Sequence, residues 1–228
     1  MSFTQGAGTD IRPHTRRGQV MAFDVANGRT RWNTELTFAT LGRDVVTNDV
    51  AVSRRLVAVV GVTDTVKTFD DAFLTALDRW SGSVRWKVRR GGEIRDWYDT
   101  IDATKSTLYL TGTFGDAPEG GGGHGVLERR STSGERQWQR RVPPMSSVNA
   151  IAGAGVVWGV VAGNRRGHPF VVGRRRADGT RVWQQEWDVA SFATAVQFEA
   201  VHHRIYLGAG VVNDRGHEHL HSWCWRWR

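Results

Sequence analysis

The chain has 228 residues, 39% hydrophobic and 24% charged, a balance that belongs neither to a disordered chain nor to a membrane bundle. No apolar run is long enough for a spanning helix. The single cysteine, Cys224, excludes an intrachain disulfide framework and a multi-cysteine zinc site. Lys plus Arg outnumber Asp plus Glu by 31 to 23, a net charge of +8 and a pI near 10.6, and the only lysines are Lys67, Lys87 and Lys105. Arg in such excess suits bidentate contacts to anionic groups. Its scatter along the chain, without blocks, equally suits a solvated surface.

Residues 1–18 are polar and basic, with Gly6, Gly8, Pro13 and the run His14-Thr15-Arg16-Arg17. They read as a flexible tail and contain no apolar signal-peptide core. From residue 19 to residue 228 the chain reads as one array of short strands. Its organisation shows in the tryptophans, of which there are 11. Four stand four residues after a glycine: Gly28/Trp32, Gly82/Trp86, Gly134/Trp138 and Gly179/Trp183, at steps of 54, 52 and 45 residues. Asn27, Ser81, Ser133 or Asp178 precedes each Gly, and these are turn dipeptides because Gly accepts a positive φ. A turn and an indole in fixed register four times is a repeat.

Each unit reads alike. A short strand (residues 21–24, 74–78, 126–128, 170–172) enters the turn, and a second strand carries the Trp away from it. Two more follow, with β-branched runs at 56–61, 108–112, 156–160 and 205–208. Four short strands per 45–54 residues predict an all-β protein, a β-propeller of four-stranded antiparallel blades: four full repeats plus a partial fifth over 217–225. Each Trp is expected to fill the wedge between neighbouring sheets, its N–H donated to a backbone carbonyl. Two turn geometries stay open. A two-residue turn sets Asp24 opposite Arg31 and Asp78 opposite Arg85; a bulged three-residue turn sets Ala22 and Ala76 opposite the Trp.

The pattern resembles the pyrroloquinoline-quinone-type propeller repeat, whose tryptophan-docking motif runs Ala-x-Asp-x-x-Thr-Gly-x-x-x-Trp. Ala22, Asp24, Asn27, Gly28 and Trp32 match it, as do Ala76, Asp78, Ser81, Gly82 and Trp86. Counting back from Gly134 and Gly179 sets Glu128 and Arg130, then Gly173 and Arg175, at the Ala and Asp places. Residues 71–78 through 108–113 are also similar to the bacterial SBBP-type propeller repeat. The resemblance implies a quinoprotein-like propeller, indoles packed between a Gly peptide and a small Ala, and a bacterial envelope or extracellular setting.

The chemistry is less marked. Quinoprotein enzymes of that resemblance use a longer chain, a calcium ion and often a vicinal Cys pair, which this sequence lacks. His217, His219 and His221 alternate on a predicted strand, but three such positions span about 13 Å, too far for one ion. His202 and His203 sit in a predicted turn. Asp64, Asp70 and Asp71 lack calcium-loop spacing, and Gly120 to Gly123 is not followed by the Gly-Lys-Ser/Thr of a phosphate loop. No catalytic, cofactor-binding or metal residue is assigned, and no cofactor. Trp80, Trp97, Trp158, Trp187, Trp223, Trp225 and Trp227 lie outside the repeat set; Trp80 is expected to be exposed. The first expectation is a non-catalytic scaffold for a protein partner, with no transmembrane segment and no specific nucleic-acid motif. The second is a carbohydrate- or polyanion-binding propeller using exposed Trp and Arg. The third is a fragment of a quinoprotein-type enzyme.

Overall fold

The computed structural model describes residues 2–5, 17–38, 45–65, 68–91, 96–115, 124–142, 148–152, 156–161, 170–186, 193–201, 204–212 and 218–226. Among these residues every regular element is a strand, and all pairing is antiparallel between sequence neighbours. The first sheet holds β1 (Ser2–Gln5), β2 (Arg17–Phe23) and β3 (Thr30–Leu36). The second holds β4 (Val45–Val52), β5 (Leu56–Thr65), β6 (Thr68–Asp78) and β7 (Val84–Arg90). The third holds β8 (Trp97–Ala103), β9 (Thr107–Phe114), β10 (His124–Ser131) and β11 (Arg136–Val142). The fourth holds β12 (Val148–Ala152), β13 (Val156–Val161), β14 (Phe170–Arg175) and β15 (Arg181–Glu186). The fifth holds β16 (Ala193–Val201), β17 (Arg204–Val212) and β18 (Glu218–Arg226). The sequence repeat is therefore offset by two strands from the sheets. It runs from β2 through β17 in four sets of four, with β18 opening a fifth set. Strand β1 adds pairing upstream of residue 19, with Ser2 opposite Val20 and Gln5 opposite Arg17.

Successive sheets are stacked along their first strands, β4 on β8, β8 on β12 and β12 on β16. A sheet covered on both faces needs apolar residues at every position rather than alternate ones, and the second sheet has them. Val57, Val59, Phe73 and Leu77 point towards Trp32 and Leu36 of the first sheet. Their neighbours Ala58, Val60, Ala72, Leu74 and Ala51 point towards Tyr98, Leu108 and Leu110 of the third. The side-chain period of two thus sorts one continuous run into two cores. Close stacking also limits side-chain size. The first strands of the second and third sheets bulge, at Thr47/Asp49 and at Tyr98/Thr100, and a glycine of the second strand faces each bulge. A Cβ on Gly61 would meet the Val46 carbonyl at 2.0 Å, and one on Gly112 the Trp97 carbonyl at 2.3 Å.

The Gly-Trp repeat makes the joints between sheets. Gly28, Gly82, Gly134 and Gly179 all have positive φ, between 69° and 94°. Trp32 of the first sheet lies on Gly82 of the second, Trp86 on Gly134 of the third, and Trp138 on Gly179 of the fourth. Each indole N–H donates at 3.0 Å to a carbonyl of the same turn: Arg79, Thr132 and Arg176 in order. Thr34 Oγ1 adds a bond to the Gly82 carbonyl at 2.7 Å, and Arg140 one to the Asp178 carbonyl at 2.6 Å. The indole therefore buries its face on a peptide that has no side chain and satisfies its one donor in the same place.

The turns are of the bulged kind. Ala22 faces Trp32, Ala76 faces Trp86 and Gly173 faces Trp183, with the register shifting just after each small residue. The ion pairs of the other geometry form as well: Arg31 reaches Asp24 at 2.6 Å and Arg85 reaches Asp78 at 2.5 Å. In the third unit the expected correspondence is corrected. Gly134 N–H bonds Ser131, three residues back, where Gly28, Gly82 and Gly179 each bond the residue four back. That turn is one residue shorter, so the Ala and Asp places fall on Arg129 and Ser131, not on Glu128 and Arg130. Arg129 indeed faces Trp138. It donates to the Arg176 and Ala177 carbonyls of the next sheet, 2.5 and 3.0 Å away, beside the Trp138 bond.

Trp32 and Trp138 are 8% and 7% exposed. Truncating either to Ala is expected to cost about 3–5 kcal/mol. Gly82→Ala, which adds a strained φ and a Cβ 2.6 Å from the Trp32 ring, should cost more than about 1 kcal/mol. Denaturant unfolding measures both; losses below about 1 kcal/mol for the Trp variants would contradict the packing described.

Candidate functional site

In the second and third sheets the first-to-second and third-to-fourth turns share one end, and Arg54, Arg55, Arg79 and Lys105 lie on them. At that end, between the second and third sheets, a groove of about 690 Å³ is lined by Ser53, Arg54, Arg55, Leu56, Arg85, Trp86, Lys105, Thr132 and Ser133. Four of these nine are cations, and no carboxylate lines the groove. Three turns build it. The first, 53–55, is closed by Ser53 N–H to the Leu56 carbonyl, and Leu56 N–H returns to Ser53 Oγ at 3.1 Å. The second, around Lys105, is closed by Thr104 N–H to Thr107. The third holds Thr132, whose N–H bonds the Ser106 carbonyl and whose carbonyl takes the Trp86 indole. The Trp86 joint thus sets the width of the groove.

Arg85 is held from behind. Its Nε and Nη2 donate to Asp78 Oδ2, while Asp78 Oδ1 accepts from the Trp80 and Ser81 amides. The Arg85 guanidinium first, and then those two amides, hold the Asp78 carboxyl far below the usual carboxylate range. Asp78 stays charged and holds the Arg85 guanidinium across the hairpin. Trp80 is 60% exposed, as expected. It adjoins the groove, since its neighbour Arg79 donates N–H to the Arg55 carbonyl. Trp97 lies at the far end of its sheet, half-buried, with its indole N–H on Asp99 at 3.0 Å. The two indoles therefore do not form one stacking platform.

A second ionisable cluster is closed to solvent. Glu128 and Tyr98 are fully buried and Arg130 is 7% exposed. Glu128 Oε1 accepts from Arg130 Nε and from the Tyr98 hydroxyl at 3.3 Å. Arg90 of β7 lies 4.0 Å from Glu128 Oε2, donates to Gln139 at 2.8 Å, and covers the Phe114 ring at 3.9 Å. Burial first, and then the Glu128 charge, push the Tyr98 hydroxyl up and keep it protonated. With no solvent-exposed member at its centre, this network joins the second and third sheets and offers nothing to a substrate.

Asp71, weighed as a calcium ligand, is buried and paired with Arg89. Among the described residues no group of three His, Cys, Asp or Glu is arranged to hold a metal, and no helix is long and apolar enough to cross a membrane. His219 and His221 stand on β18 opposite Val211 and Ala209. His202, His203, His217, Trp187, Trp227 and Gly120 to Gly123 lie outside the described residues. Nothing in the sequence singled out the groove; its cations are spread over residues 54–105 and meet only through the turns.

No family model and no curated protein matches the chain. Among solved structures it is similar to the polysaccharide lyase Uly1 at 10% identity and a TM-score of 0.60, over 98% of this chain and 54% of that one. It is also similar to cobalt-substituted Synechocystis apocarotenoid oxygenase at 11% identity and a TM-score of 0.47, over 92% of this chain and 56% of that one. The chain spans about half the length of both, and the likeness to the lyase is one of fold.

Two outcomes test the site's electrostatics. Glu128→Ala leaves Arg130 buried without its partner and is expected to cost about 3–5 kcal/mol in denaturant unfolding. An unchanged midpoint would contradict that. Asp78 has a folded pKa below its unfolded one, so its contribution is present above the unfolded value and lost as pH falls through the folded value. Asp78→Asn should therefore be less stable than the parent at pH 7, with the gap closing only in strong acid. A gap independent of pH would rule this out.

Proposed function

We propose that the chain is a β-propeller repeat domain of the pyrroloquinoline-quinone-like type that binds an acidic polysaccharide, without catalysis, in the groove between the second and third sheets. The propeller reading is supported by the stacking along first strands and by three indole joints in the same geometry. The binding reading rests on one observation: Arg54, Arg55, Arg85 and Lys105 meet around a groove that no carboxylate lines. Such a groove attracts a chain of negative charges and repels cations. Of the two non-catalytic expectations, this favours the polyanion over a protein partner.

The polymer class follows from the rest of the lining. Successive nucleobases need a row of aromatic faces, and here Trp80 stands at the rim without a second indole beside it. Ser53, Thr132 and Ser133 supply hydroxyls of the kind that meet sugar hydroxyls, and guanidinium groups pair bidentately with carboxylate or sulfate. The lyase that shares the fold is by its name directed at polysaccharide, the same polymer class.

Retention on immobilised heparin, a sulfated polysaccharide, is the test. The parent chain should be retained at low salt and released as salt rises, by counterion competition. Arg54→Glu with Arg55→Glu should weaken binding at least about tenfold, while Arg136→Glu, outside the groove, should change it little. Equal loss from both would reduce the site to general surface charge, and no retention at low salt would overturn the reading.

A further inference from the structure

One arginine recurs at the same point of two hairpins, with an acid beside it in only one of them. Arg130 of β10 and Arg174 of β14 each follow the residue that faces the Trp, and each stands opposite a second arginine, Arg136 and Arg181. Each donates Nη1 to the carbonyl of its turn glycine, Gly134 at 2.7 Å and Gly179 at 2.9 Å. The opposite arginines also match: Arg136 bonds Gln139 at 3.0 Å and Arg181 bonds Gln184 at 2.9 Å. The hairpins differ two residues earlier. There the third sheet has Glu128, whose carboxylate accepts from Arg130 Nε, and the fourth has Val172, apolar and 1% exposed. Arg174 Nε is buried without an acceptor.

Positive charge gathers around Arg174 instead. Arg181 stands directly across the strand pair, where like charges repel. Arg140 arrives from β11 of the third sheet. Its Nη2 holds the Asp178 carbonyl at 2.6 Å, next along the chain to the Gly179 carbonyl that Arg174 holds. Arg174 Nη2 reaches back to the Arg141 carbonyl at 3.1 Å. Burial first, and then the charges of Arg140 and Arg181, lower the Arg174 pKa from the ordinary guanidinium value. The acid of this turn is engaged elsewhere. Asp178 Oδ1 accepts from the Thr180 amide and hydroxyl at 2.8 and 2.7 Å, and Oδ2 lies 3.8 Å from Arg175. Among the described residues no acid is ion-paired with Arg140, Arg174 or Arg181.

We propose that Arg140, Arg174 and Arg181 bind a doubly charged tetrahedral oxyanion, a phosphate or sulfate group, between the third and fourth sheets. The group supplies the negative charge that Glu128 supplies at the equivalent point one sheet earlier. Arg140 and Arg181 are exposed and meet it from solvent, and Arg174, half-buried beside them, is balanced by its charge. Guanidinium groups offer paired N–H donors that match two oxygens of such a group, and a dianion offsets a triple positive charge further than chloride does. The site shares no residue with the groove between the second and third sheets, so it stands whether or not that groove holds a polymer.

The test is titration calorimetry of the full chain with sodium phosphate and with sodium sulfate, at an ionic strength held constant with sodium chloride. One saturable site, half-filled at or below about 1 mM, is expected for at least one of the two, and the tighter ion names the group. Arg181→Gln should weaken it at least about tenfold. Arg17→Gln, which removes the same charge from the first sheet, should change it less than about twofold, because distant charges are screened. In chloride alone Arg181→Gln should melt no lower than the parent, since it relieves a repulsion, and this separates loss of the site from loss of the fold. A lower melting temperature there would make Arg181 a structural residue and overturn the inference. So would no saturable binding up to about 10 mM, or equal losses from Arg181→Gln and Arg17→Gln. A loss with Arg54→Glu plus Arg55→Glu but not with Arg181→Gln would put the ion in the groove and overturn it as well.

Discussion

An indole lying on a glycine peptide, with its N–H returned to the neighbouring turn, is the contact on which the molecule is built. A single meander of three or four strands has two faces and can bury neither alone. Trp32, Trp86 and Trp138 each join one sheet to the next at the turn end, where the twisted sheets diverge and a small side chain would leave a void. The glycine is needed twice over, for its positive φ and for the bare peptide on which the ring rests. The residue facing the Trp on its own hairpin is small for a related reason in two units, Ala22 and Ala76, and Gly173 in the fourth. Where Arg129 takes that place, its guanidinium extends past the indole to the carbonyls beyond.

That joint also makes the groove. The turns at Ser53, Lys105 and Thr132 come from three different connections, and they face one another because Trp86 ties the second sheet to the third turn. The electrostatics are arranged accordingly. Acids near this end are committed to local work, Asp24 and Asp78 pinning Arg31 and Arg85 and capping the turn amides. Arg85, balanced by Asp78, brings a fixed guanidinium to the groove, and Arg54, Arg55 and Lys105 bring its positive field. The buried Glu128, Arg130 and Tyr98 sit deeper between the same two sheets, where exclusion of water strengthens every contact and makes an unpaired charge costly.

Much of the fold was legible in the order of residues. The strands at 56–61, 74–78 and 108–112, the four turns and the expectation of a backbone carbonyl for each indole N–H follow from period, turn chemistry and satisfaction of donors. The choice between turn geometries did not follow, because ion pairing and small-residue packing favour different registers and only a bulge reconciles them. The third unit misled for a physical reason. Alignment on Gly134 assumes turns of equal length, and a turn one residue shorter moves every position before it. The Glu128 network and the groove were out of reach for another reason. Their members are scattered through the chain, and scattered Arg reads as surface until the stacking of sheets brings four cations together.

Hydrogen exchange of the indole N–H groups, followed by NMR, bears most directly on the central contact. The Trp32, Trp86 and Trp138 indole protons are expected to exchange slowly, with the stability of the sheets, while the exposed Trp80 proton exchanges at the rate of a free side chain. Exchange of all four at the Trp80 rate would contradict the joints and the stacking that depends on them.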